Sequence, residues 1–161
     1  MPFEAAAAAI DASALAQTLR ASIWLYPLVN TGHVVGIALL FGAIVPLDLR
    51  LLGRRRVDPL DQLARTLIPV ALIGLLLAAS TGTLLFVTRP LDYIGEPLFG
   101  IKLLLIGCAL LNAALLHRSA HWRLTSDPIH EPLRLSWRLA GLLSIALWLA
   151  VIAAGRLIGY R

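Results

Sequence analysis

IWLYPLVNTGHVVGIALLFGAIVPL, residues 23–47, decides the fold. The run contains no Asp, Glu, Lys or Arg. A helix that crosses a bilayer needs about 20 predominantly apolar residues, each rising about 1.5 Å. The stretch meets that length and lacks the two-residue alternation of a membrane barrel strand. It reads as a spanning helix, broken near Pro46 and Asp48. One ionisable group, His33, lies inside it. Such a group is costly in hydrocarbon and is a functional hypothesis by default.

Three more segments qualify outward from this one: about 64–88, ending before Arg89 and Pro90, about 98–117, and about 137–158. The loops between them leave no room for a soluble domain. The expected fold is therefore all-α, an integral membrane four-helix bundle forming one domain over 23–158. Residues 1–22 precede it as a tail or a short N-terminal surface helix. Ile10, Ala14, Leu15 and Leu19 share a face of a helix over 4–20, and a frayed tail is the other reading. Pro27 and Pro69 fall in the expected first turns of their spans, where proline is tolerated.

Composition agrees. The chain is 59% hydrophobic and 14% charged, against about 45–50% and about 25% in soluble domains. A net charge of +5 would suggest nucleic acid in a soluble protein. Here the basic groups gather at the ends of apolar runs, so no nucleic-acid partner is expected. Cys108 is the single cysteine, which excludes an intrachain disulfide and CxxC chemistry. Met1–Ile10 carries Glu4 and no basic residue, unlike a secretory leader.

The basic residues give a direction. Arg50, Arg54, Arg55, Arg56 and Arg65 surround the first loop, and Arg118, Arg123, Arg134 and Arg138 the third. The other side has Arg20, Arg89, Lys102, Arg156 and Arg161. The positive-inside rule puts the two Arg-rich loops in the cytoplasm and both termini outside, in a bacterial inner membrane. Trp24, Tyr26, Tyr93, Trp137 and Tyr160 fall near the expected interfaces. Gly32 and Gly36 form a small-xxx-small pair flanking His33, and Gly74, Ala78 and Gly82 form a matching row. Gly100, Gly107, Gly141 and Gly155 are further expected points of close approach.

Depth orders the polar groups. With span centres near 36, 76, 108 and 148, His33 lies about 4–5 Å outside the midplane and Asn30 and Lys102 about 9 Å outside. Thr81 lies about 6–10 Å and Arg156 about 12 Å out, while Cys108 is central. Asn30, Thr81, Lys102 and Arg156 are thus the expected company of His33 in an outer-half site. His117 is about 13 Å on the other side, so the two histidines differ by about 18 Å in depth. Two axial ligands on one haem iron need similar depths, which argues against that pair. His121 and His130 fall in a loop. A haem here would use His33 on one face, with the other open or held by Cys108, and Lys102 and Arg156 near the propionates. Imidazole, hydroxyl and thiol also suit copper or another soft metal, with His33 and Cys108 as ligands, and the two cations suit a quinone oxygen. His33 as a proton relay, or as one interhelical hydrogen bond to Thr81, are simpler alternatives. Asp48 and Arg50 read as a pair or a cap.

Several motifs run together: Tyr26-Pro27, His33, Gly36, Gly42 and Asp48-Leu49-Arg50-Leu51-Leu52-Gly53; Thr81-Gly82 before Leu85-Phe86; Phe99-Gly100-Ile101-Lys102 leading to Asn112 and His117-Arg118; and Ser144 to Trp148, then Gly155-Arg156 and Tyr160. Over about residues 20–160 this set resembles an uncharacterised family of small bacterial four-helix integral membrane proteins, a domain of unknown function. That resemblance implies an architecture and no activity. Spans two and three are also similar to part of the copper-resistance D membrane proteins, which implies a link to copper uptake. Those have twice the spans, and Met1 is the only methionine here. The overall shape resembles four-helix b-type cytochromes.

Three functional readings follow. The first is a membrane-embedded binding module for haem b, a metal such as copper, or a quinone around His33, anchoring a redox partner and serving electron transfer. The second is a component of copper or other small-ion transport. The third is a structural subunit without ligand, its glycine rows forming a homo-oligomer or docking face. No nucleophile with a paired base, carboxylate pair or phosphate loop supports an independent enzyme.

Overall fold

A computed structural model describes residues 2–53, 60–118 and 135–160, with Pro2 and Phe3 as backbone only. The expected topology groups Arg54–Arg56, Arg123, Arg134 and Arg161, and His121 and His130, lie outside the described residues.

Every regular element among the described residues is helical. They are α1 (Pro2–Asp11), α2 (Ala14–Ala21), α3 (Leu25–Leu51), α4 (Leu60–Thr88), α5 (Pro90–Ile94), α6 (Pro97–Arg118) and α7 (Leu135–Ile158). Four of them, α3, α4, α6 and α7, are long and apolar enough to cross a membrane. The chain is a multi-pass membrane protein built as a four-helix bundle. At 22 residues α6 is the shortest span, and it still reaches about 33 Å against a hydrocarbon core of about 30 Å.

Two spans begin or end differently from expectation. α3 runs through Pro46 to Leu51. α4 begins at Leu60, so Pro69 lies in its interior and not in its first turn. Each proline leaves one carbonyl of the preceding turn without its helical donor, a defect that spanning helices absorb through neighbours and local adjustment.

Packing is uneven. α3 lies at the centre, against α4 on one side and α7 on the other, and α6 packs on α7. Among the described residues the backbones of α4 and α6 never approach within 8 Å. The α3–α4 contact is backbone to backbone. A Cβ placed on Gly36 would stand 2.6 Å from the Ala78 nitrogen and 3.0 Å from the Gly74 oxygen. Only glycine fits there, and the two small-residue rows meet as expected. Gly141 likewise lets α7 approach the backbone of Asp48, where an added Cβ would stand 3.1 Å from the Asp48 oxygen. Gly100 and Gly107 meet nothing within 4 Å, so α6 does not use them for contact inside the bundle.

The core joins Leu40 of α3, Ala109 of α6, and Trp148 and Val151 of α7. A second cluster, Leu51, Leu60 and Trp137, closes the end of the bundle nearest residues 54–59 and 119–134, here termed the loop end. Large apolar side chains such as Leu76, Leu104, Leu111 and Leu115 point outward, a surface that hydrocarbon covers and water would not.

The opposite end is capped. The chain turns at Ala12 and Ser13, so the N-terminal segment is two helices rather than one over 4–20. Ser13 caps α2 by accepting from the Ala16 N–H at 3.2 Å. α1 packs on α5, and α2 on α3 and α4. Arg20 ties the cap down, donating to the Thr88 carbonyl at 3.0 Å and the Asp11 carbonyl at 2.6 Å. Beneath it, Phe86, Tyr93 and Phe99 form a three-ring cluster with centroids 5.2–5.9 Å apart. Burial raises the Tyr93 phenol above its usual value, with the neighbouring Tyr26 adding to the effect.

Candidate functional site

The site begins with a glycine. Gly82 lacks a side chain, and the His33 ring of α3 lies over it, 3.0 Å from where its Cβ would stand. His33 Nδ1 is 2.9 Å from the Ala78 carbonyl oxygen and 3.2 Å from Thr81 Oγ1. The Thr81 hydroxyl donates to the Leu77 carbonyl at 2.5 Å. Both groups facing Nδ1 are therefore acceptors, and Nδ1 must carry the hydrogen. In the neutral ring the lone pair then sits on Nε2. The same logic orients metal-binding histidines, where a backbone carbonyl holds one ring nitrogen and leaves the other to ligate.

Lys102 approaches from α6. Its ammonium lies against Gly155 of α7, with Nζ 3.0 Å from the position of an added Cβ. It is within electrostatic range of His33. Among the described residues Lys102 has no ion pair and no hydrogen bond. A lysine partly buried inside a span ordinarily pairs or reaches for the interface. This one is laid across the bundle by a glycine that clears its path. The half of the bundle away from the loop end thus presents an acceptor nitrogen and a threefold donor from two helices, α3 and α6, whose backbones do not meet among the described residues.

The remaining candidates lie elsewhere. Arg156 is exposed and donates to the Tyr160 hydroxyl at 3.1 Å, its guanidinium stacked 4.9 Å over that ring. Asn30 is exposed near the start of α3. Cys108 is exposed on α6. His117 is exposed and bonds the Ala113 carbonyl of its own helix at 2.8 Å. It stands fifteen residues from Lys102 along α6, about 22 Å, so the two histidines occupy opposite ends of the bundle. Among the described residues no three His, Cys, Asp or Glu side chains gather as a metal site. The chain matches no family model, no curated protein and no solved structure.

Sequence reasoning missed the loop end. Asp48 and Arg50 are both buried, 5% and 3% exposed, but they do not pair. The Asp48 carboxyl takes a hydrogen bond from Ser144 of α7, and its Oδ2 is buried with no partner among the described residues. Two residues apart on a helix, the side chains point about 200° apart around the axis. That geometry was available in the sequence. The burial was not. Asn112 of α6 donates to the Ala140 carbonyl of α7 at 3.0 Å, a plain interhelical tie.

Proposed function

We propose that the protein is a membrane-embedded binding module whose outer-half site holds a quinone-class head group between His33 and Lys102. One observation carries the reading: an oriented imidazole with its lone pair on Nε2 stands within range of an ammonium that has no described partner. A quinone carbonyl accepts from Lys102 Nζ, and the hydroxyl of the reduced form donates to His33 Nε2. In that role the module would anchor or serve a redox partner. Two Arg-rich loops facing the cytoplasm, in a bacterial inner membrane, complete the arrangement.

A haem reading has one specific support, the carbonyl that holds Nδ1 and frees Nε2. Among the described residues only that one axial nitrogen is offered, since His117 is about 22 Å from the Lys102 level and Cys108 is exposed. Haem b would then sit on His33 alone. Copper needs further ligands than His33 provides within reach. The family resemblance is compatible with each of these and selects none.

Purified protein in a native-lipid preparation tests the choice. Extraction and chromatography should recover quinone in stoichiometric amount, lost from His33→Ala, with no Soret band. A Soret band lost in the same variant would replace quinone with haem. Colourless protein free of quinone and metal, after expression with ample haem and copper, would sink both.

A further inference from the structure

We propose that Asp48 is a proton-binding site in the loop-end half of the bundle, independent of the outer site, with the exchangeable proton on Oδ2. The carboxyl is 5% exposed. Its Oδ2 is buried and no group among the described residues donates to it. Among the described residues, the side chain acting on the carboxyl is the Ser144 hydroxyl. Gly141 lets α7 pack closely on this turn of α3: a Cβ added there would stand 3.1 Å from the Asp48 carbonyl oxygen and 3.5 Å from its Cα.

An ionised carboxylate in such a place needs a cation or several donors. The described charges nearby do not supply them. Arg50 of α3 points away around the helix. Asp61 and Arg65 of α4 are exposed, as are His117 and Arg118 of α6 and Arg138 of α7. None of them registers in the electrostatics of Asp48. A proton is the smallest cation and needs no side-chain partner. It removes the charge and leaves the Ser144 bond to Oδ1 in place. Intramembrane carboxyls of this kind are where membrane proteins take up and release protons.

Infrared difference spectroscopy reads this directly, using the full chain in dodecyl maltoside, which has no ester carbonyl to mask the signal. At neutral pH the wild type should show a protonated-carboxyl C=O band that shifts in heavy water. Asp48→Asn should lose it, and Ser144→Ala should shift it by removing the one donor. If Asp48→Asn does not fold, the Ser144→Ala shift alone assigns the band. Absence of the band, or a band unmoved by both substitutions, overturns the proposal. Loss of ionised-carboxylate bands in Asp48→Asn would do the same, since it would show that the group carries no proton in the wild type.

Discussion

Replacing Gly36 with alanine tests the packing that builds the His33 site. The new methyl would stand 2.6 Å from the Ala78 nitrogen, 3.0 Å from its Cα and 3.0 Å from the Gly74 oxygen. All three are backbone atoms, so no rotamer can yield. Ordinary contact needs about 3.5 Å, and α4 must therefore retreat by about 0.9 Å at this level. Ala78 supplies the carbonyl that holds His33 at 2.9 Å, so the same retreat takes that bond past 3.5 Å and out of hydrogen-bonding range. Overpacking costs about 1–3 kcal/mol, and an interhelical hydrogen bond in a membrane adds about 0.6 kcal/mol. Better helix propensity returns up to about 1 kcal/mol. The net expectation is a loss of about 1–3 kcal/mol. Gly107→Ala is the control, because nothing lies within 4 Å of its added methyl and its effect should stay within about 0.5 kcal/mol. Reversible unfolding in mixed micelles gives the energies, and the ring nitrogen shifts of His33 report the bond. Equal stability of the two variants, or an unchanged His33 spectrum in Gly36→Ala, would refute the reasoning.

Further outcomes follow from the same contacts. Trp148→Ala empties the centre of the main core and should cost about 3–5 kcal/mol in the same unfolding assay. Ser13→Ala removes the cap of α2 and should cost about 1 kcal/mol, seen as faster amide exchange confined to residues 2–21. Arg20→Ala should release the same segment to protease without moving the midpoint of bundle unfolding, because its contacts are at the exposed cap. Tyr93 should ionise above the ordinary phenol range, near pH 10, in an ultraviolet titration. The unfolded chain then loses that proton first, so stability falls as pH rises past the ordinary phenol value. A Tyr93→Phe variant should lack this alkaline decline.

The spans were legible because an apolar run of bilayer length has few other uses, and residues 23–47 already required one. Pairing of α3 with α4 was legible from Gly36 and Gly74, since small residues at matching depth have a packing consequence. The positions of Lys102 and Thr81 relative to His33 followed from depth alone. What stayed hidden depends on direction around a helix or on distant partners. Arg156 shares the half of the bundle away from the loop end, yet its guanidinium turns to Tyr160. Pro46 looked like an end, but α3 continues because its C-terminal turns bury Asp48, Arg50 and Leu51 against neighbours. The break at Ser13 and the short α5 are set by how the cap folds back on the bundle, which no local period records.

Titration of the purified protein in nanodiscs with a short-chain quinone tests the central claim most directly. Saturable binding is expected, weakened at least tenfold by His33→Ala and by Lys102→Gln and unchanged by Gly107→Ala. Binding that is absent, or that persists equally in all three variants, would contradict the assignment of the outer site.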